Sequence, residues 1–371
     1  MDCWRAPDCL RMRCAFNQWR EHLRGYSRRV SVAAGVGLIV GLGMGAFARP
    51  WIKAGLRTDC RDRLFSHHLV LRMRSTRYAG RSTQPQVTHG QVMTSFAERF
   101  LQLANDRSPL CLGLDPSREL MRDWGLSDDA RGLRRFCGVV MEAAADRIAV
   151  VKPQSSFFER LGPPGLSEMA RAVARIREQG ALSIIDCKRG DVIDTMEGYA
   201  EAMLGPDSGF GGDAMTVNAY LGFNALRPVL NRAAECDAAA FVIVRSSNPE
   251  GRSVQDARLG DGRAVADALA DEITAFNTTL GNTIGPVGAL VGATVDPIAA
   301  NVLYRLPRSL ILAPGVGVQG ASLDDVRRNF GPAIDRTLPS VSRVILRHGP
   351  SPAALREAID RYRDQAWRLA G

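Results

Sequence analysis

Residues 182–191, Leu-Ser-Ile-Ile-Asp-Cys-Lys-Arg-Gly-Asp, run from a near-continuous apolar stretch straight into a dense block of charge. A short run that is apolar at both odd and even positions suits a strand buried on both faces, as in a parallel sheet covered by helices. The same form recurs along the chain. It appears as CLGLDP (111–116), IAVVKPQ (148–154), AMTVNAYLG (214–222), AAFVIVRSSN (239–248), GALVGATV (288–295), LILAPGVG (310–317) and SRVILRHG (342–349). Amphipathic stretches such as LSEMARAVARIREQG (166–180) and GRAVADALADEITAFNTTL (262–280) lie between the runs. A last helix is expected to open with Ser351 as N-cap and Pro352 at its first position. Eight strand–helix units in about 250 residues predict a closed (β/α)8 TIM barrel in the α/β class. A doubly wound open sheet is the structural alternative, and it usually has fewer strands.

Barrels of this kind carry their chemistry at the C-terminal ends of the strands. The polar residues expected there are Asp115, Lys152, Asp186, Lys188, Asp191, Asn218, Ser246, Ser247 and Arg343. Lysine usage singles out two of them. The chain has 48 basic residues, and only Lys53, Lys152 and Lys188 are lysine. Arginine keeps its proton near neutral pH and lysine can release one, so both body lysines are candidates for chemistry. In a strand, positions 186 and 188 share a face, which brings an Asp and a Lys into the barrel interior together. Lys152 adds a second ammonium, and Asp191 lies just past the strand end. Such a Lys-Asp-Lys-Asp array can deliver a proton to a developing carbanion beside a fixed negative charge. The plainer reading is an interior salt-bridge cluster, which the scarcity of lysine elsewhere disfavours.

Charge divides the chain. Residues 1–92 hold 16 basic and 5 acidic residues, and residues 93–371 hold 32 and 34. All the excess positive charge therefore belongs to an N-terminal extension, and the mildly acidic body is not a nucleic-acid binder. Within the extension, residues 30–48 are uncharged and barely long enough to span a bilayer. Gly37, Gly41 and Gly45 repeat there at a helix-packing spacing. Three readings compete for residues 1–92: a membrane anchor, a targeting peptide with a faint twin-arginine pattern at 27–33, or sequence upstream of the true start. The third is preferred, because Met93 opens a clean amphipathic helix, MTSFAERFLQLAND. Domains are thus expected at 1–92 and 93–371. Cys3, Cys9, Cys14, Cys60, His67 and His68 match no compact zinc spacing. Cys111, Cys137, Cys187 and Cys236 are scattered, mostly in apolar runs, as in a protein with reduced thiols.

Gly315-Val316-Gly317-Val318-Gln319-Gly320 reads as GxGxxG. A dinucleotide fingerprint needs the first strand of a βαβ unit, whereas this motif follows the seventh. A phosphate cradle is the better reading, with Arg343 on the expected eighth strand as a bidentate partner. The alternative for Arg343 is a salt bridge at the barrel bottom.

Taken together, these segments resemble a known family. DCKRGDVIDT looks like the D-x-K-x-x-D signature of orotidine 5′-phosphate decarboxylase. VVKPQSSFFERLG, VNAYLGFNALRPVL, VRSSNPEG, LVGATV and LAPGVGVQG are similar to its longer bacterial branch, in the expected order from Met93 onward. The resemblance implies decarboxylation of orotidine 5′-monophosphate to UMP without metal or cofactor, in a cytoplasmic enzyme of de novo pyrimidine synthesis. It implies that Lys188 protonates C6, Asp186 faces the substrate carboxylate, and Lys152 bonds the ribose and Asp186. Asp191 and Thr195 would come from the partner in a homodimer with shared active sites. Asp115 would hold the ribose or pyrimidine side, a serine of the Ser246–Ser247 pair the ring, and Gly315, Gly317, Gln319 and Arg343 the phosphate. Ile193, Asp194 and Ala219 depart from the family pattern, the first two in the segment that would cross the dimer interface.

Two rivals remain. Metal-dependent sugar-phosphate decarboxylases and aldolases share the barrel and the motif but carry Glu where this chain has Lys152, and an ammonium cannot ligate a cation. A catalytically dead barrel, tethered to a membrane by residues 30–48, would have little reason to keep both body lysines.

Overall fold

The computed structural model describes residues 94–296 and 299–369. The extension, including residues 30–48 and its cysteines and histidines, lies outside the described residues. Eight parallel strands close into a barrel in strict sequence order: β1 (Cys111–Leu114), β2 (Val150–Pro153), β3 (Leu182–Arg189), β4 (Ala214–Val217), β5 (Ala239–Arg245), β6 (Val287–Val291), β7 (Ile311–Val316) and β8 (Thr337–Val341). Closure is direct, with Cys111 opposite Ser340 and Leu112 opposite Val341. The open-sheet alternative is thereby excluded.

Alternation along each strand sorts side chains into two cores. Outward residues such as Leu112, Val151, Ile185 and Met215 pack under the helices. Inward residues such as Val150, Leu182, Ile184, Ala214, Phe241 and Leu338 fill the lower barrel. The bottom is plugged by the helix Phe96–Arg107, which inserts Phe96 and Phe100 into that inward core. Phe96 meets Phe241 edge to face, with centroids 6.0 Å apart. The helix expected from Met93 onward begins at Phe96. Ser95 caps the helix, its hydroxyl accepting from the Glu98 amide while Glu98 accepts from the Ser95 amide, so two orphan donors are satisfied reciprocally. Arg99 pins the helix to Asp213, at 2.9 Å, just ahead of β4.

The segment SRVILRHG is not the eighth strand. That strand is Thr337–Val341, and Arg343–Leu346 is a single helical turn after it. The polar, proline-containing TLPSV carries little strand signal, yet all five residues are buried. Val344, Ile345 and Leu346 are apolar because the turn is wedged among neighbours. One of these is Trp124, whose indole N–H donates to the Leu346 carbonyl at 3.0 Å. Ser351 caps the last helix, Pro352–Trp367, as expected. The four described cysteines are free. No helix among the described residues is long and apolar enough to cross a membrane.

Candidate active site

The inward positions that are apolar low in the barrel turn polar at its top. Val150 is followed two residues on by Lys152, Ile184 by Asp186 and Ala214 by Thr216. Asp186 is the centre. Its Oδ2 accepts from the Lys152 ammonium at 2.7 Å, and its Oδ1 from the Lys188 ammonium at 2.6 Å and the Thr216 hydroxyl at 2.8 Å. Gln154 donates to the Asp186 carbonyl at 3.2 Å. Burial alone would raise the Asp186 carboxyl, but Lys152 and Lys188 overrule it and hold the group well below the usual carboxylate range. Burial likewise works against the Lys152 ammonium, and the charges of Asp186 and Asp115 reverse that and stabilise the charged form. The lysines differ in access: the Lys152 side chain is 7% exposed and that of Lys188 43%.

Positions 186 and 188 do meet, though not through regular strand geometry. The β3–β4 register shifts between Ile185 and Arg189, and Lys188 adopts φ +45° in the left-handed region. The next residue, Arg189, is anchored on Glu159 at 2.5 Å and lies over the Tyr199 ring.

Asp115, past the end of β1, accepts from the Ser342 hydroxyl at 2.6 Å. Gly113 makes this approach possible, since a Cβ there would stand 2.5 Å from that of Ser342. The other Asp115 oxygen is buried without a hydrogen-bond partner among the described residues, and Asp115 is one of the residues that line the pocket. The end of β7 and the loop after it turn through positive φ at Gly315, Gly317 and Gly320, which favours glycine. A Cβ on Gly317 would come 2.6 Å from Val344, so this loop packs directly on the turn that carries Arg343. The amides of Gly317 and Gly320 bond within the loop itself. Ser247 donates to Gln319 at 3.0 Å, whereas the Ser246 hydroxyl is held by Gln255 at 2.8 Å.

A cavity of about 300 Å³ is lined by Asp115, Lys152, Asp186 and Lys188 from β1 to β3 and by Ser247, Gly315, Gln319 and Arg343 from the ends of β5, β7 and β8. Arg343 thus stands at the top of the barrel and not in a salt bridge at its bottom. Asp191 and Thr195 lie outside this pocket. The Asp191 carboxylate accepts from the Val192 amide, and Thr195 is exposed on the helix Ile193–Met203. Sequence reasoning missed Thr216, Gln154 and Ser342. For Thr216 the available signal was a hydroxyl at an inward position of an otherwise apolar strand. A larger groove of about 830 Å³ adjoins the cavity at Ser246–Asn248. Three of its arginines pair with carboxylates, as in Arg245–Asp256 and Arg305–Asp271, and Arg258 donates to the Gly262 carbonyl. Among the described residues, no three His, Cys, Asp or Glu side chains converge to hold a metal ion.

Residues 108–358 match the model of the orotidine 5′-phosphate decarboxylase / HUMPS family. The chain belongs to this family. The orotidine 5′-phosphate decarboxylase of Myxococcus xanthus is 51% identical over 268 residues, covering 72% of this chain and 93% of that protein. The Streptomyces coelicolor enzyme of the same name is 45% identical over 270 residues, 73% of this chain and 96% of that one. A crystal structure from Streptomyces avermitilis, 43% identical, superposes with a TM-score of 0.71 over 76% of this chain and 98% of its own. These relatives lie in the bacterial branch that the motifs of the body resemble.

Proposed function

We propose that the chain decarboxylates orotidine 5′-monophosphate to UMP and CO2, the closing step of pyrimidine nucleotide synthesis. The observation that carries this is the buried Lys152–Asp186 pair, with the more exposed Lys188 on the same carboxylate, in a pocket that Arg343 also lines. A phosphate gripped by Arg343 and the Gln319 loop would fix the nucleotide remote from the reacting carbon, a general way to supply transition-state binding. Asp115, at the pocket wall, suits a ribose hydroxyl. Ser247, which reaches Gln319, suits the pyrimidine better than Ser246, whose hydroxyl is taken by Gln255. Asp186 holds a negative charge where the substrate carboxylate would sit, and Lys188 holds the proton that C6 needs once CO2 leaves. The Lys152 ammonium occupies the place where the metal-dependent relatives carry Glu, which favours the decarboxylase over the sugar-phosphate chemistry.

The reading extends to a homodimer. Val192 and Ile193 are 57% and 50% exposed beside Asp191, and Tyr220 and Leu221 are 82% and 53% exposed on the loop after β4. A second copy covering this apolar patch would bury it and could bring Asp191 and Thr195 to its partner's pocket. The departure at Ile193 then enlarges an apolar contact. The catalytic body is residues 93–371, working in the cytoplasm, with residues 1–92 dispensable for turnover.

The test follows orotidine 5′-monophosphate absorbance with EDTA present, using full-length chain, chain starting at Met93, and K188A. Turnover by the first two that is abolished in K188A is expected. Folded protein without turnover would refute the assignment.

A further inference from the structure

Thr216 on β4 is fully buried, and its one hydroxyl serves two functional groups. It donates its proton to Asp186 Oδ1 at 2.8 Å and accepts the backbone N–H of Lys188 at 2.9 Å. Lys188 also reaches the same Asp186 oxygen through its ammonium, at 2.6 Å. Lys188 is therefore held at both ends, main chain and side chain, by one Thr–Asp pair. The need is local. At φ +45° the Lys188 amide sits where the β3–β4 register breaks, so the regular ladder does not provide for it. The threonine hydroxyl supplies the missing acceptor. Valine would fill the same space and leave that N–H orphaned.

We infer that Thr216 is a positioning residue for the decarboxylation, fixing Lys188 in its left-handed turn and steadying Asp186 as the proton leaves. The inference rests on the decarboxylase reading. In that reaction the bond from C6 to the carboxylate breaks, CO2 departs, and the electron pair stays on C6. The Lys188 ammonium gives C6 one proton and becomes a neutral amine. Asp186 Oδ1 thereby loses a cationic donor, but it keeps the Thr216 hydroxyl, while Oδ2 keeps Lys152. Without the hydroxyl, the Lys188 ammonium is the sole donor to Oδ1 within this cluster, and the carboxylate favours its charged form over the neutral amine that the transfer leaves. The chain as it stands thus spreads the load: Thr216 remains bonded throughout, so Lys188 is free to react.

The experiment measures kcat, KM and thermal melting for the full chain and for T216V, T216A and T216S. T216V and T216A are expected to lose about 10- to 100-fold in kcat, the worth of one hydrogen bond to a charged group, with KM within about threefold. T216S keeps the hydroxyl and is expected to recover most of the rate. A purely structural role would instead lower the melting temperature of Ala and Ser alike and would not separate their kcat values. If T216V does not fold, the Ala–Ser pair decides, since both lack the methyl group and only one lacks the hydroxyl. Rates near wild type in Val and Ala, a loss confined to KM, or equal losses in Ala and Ser each overturn the inference. Folded wild-type protein that does not turn over orotidine 5′-monophosphate overturns the decarboxylase reading, and this inference with it. Active wild type beside an equally active T216V overturns the inference alone.

Discussion

Replacing Asp186 by asparagine, D186N, keeps the side chain's shape and deletes its charge. Three donors converge on that carboxylate, and an amide can satisfy them only in part, because its own NH2 must face at least one of them. Lys188, 43% exposed, can turn its ammonium to water. Lys152, 7% exposed, cannot, and it is left buried with Asp115 as its remaining acidic neighbour. Breaking a buried pair by neutralising one partner costs about 3–5 kcal/mol, and the escape of Lys188 places D186N near the lower end, about 3 kcal/mol. With a urea slope of about 3 kcal/mol per molar, the unfolding midpoint at pH 7 should fall by about 1 M. The sign of the pH dependence follows from the depressed Asp186 carboxyl. Its contribution is present above the unfolded value of about 3.9 and is lost as pH falls through the lower folded value, so the gap between wild type and D186N closes only in acid. An unchanged or higher midpoint for D186N at pH 7 would refute the reasoning, because the cluster would then be a net strain that charge removal relieves.

Three further outcomes are expected. R343A should raise KM for orotidine 5′-monophosphate by about 10- to 100-fold through loss of a charge-assisted phosphate contact, with little change in melting temperature; an unchanged KM would remove Arg343 from the phosphate site. F100A should lower unfolding free energy by about 3–5 kcal/mol in a denaturant titration, since a buried ring is deleted from the barrel floor, and a loss under about 1 kcal/mol would show that the plug is not integral. I193E puts a charge into the exposed patch beside Asp191; sedimentation should shift toward monomer and turnover should fall together, whereas an active monomer would rule out a shared site.

The barrel was legible because its strands are apolar on both faces, and the signal survives even where, as in β6, glycine and alanine replace larger residues. It failed at β8, where Thr337, Pro339 and Ser340 hide a fully buried strand and the more apolar Val344–Leu346 belongs to a helical turn. The error moved Arg343 by only a few residues and still left it at the pocket. The charged centre was legible because Asp186, Lys188 and Lys152 stand out chemically. What escaped was the hydroxyl chemistry around it. Thr216 and Ser342 look ordinary in sequence, and their importance comes from the inward direction of the strand and from a left-handed residue that no spacing rule foretells. Asp191 and Thr195 lie outside the pocket of the single chain, and whether a second copy brings them to it is what I193E tests.

The pairing of β1 with β8 also has a cost during synthesis. The first strand of the barrel is made about 230 residues before the last one that covers its free edge. At elongation rates of about 5–20 residues per second, that edge waits ~10–50 s on the ribosome with unpaired backbone groups and an apolar face. Slower translation late in the message should therefore increase aggregation of the nascent chain, even though the finished barrel has no edge at all.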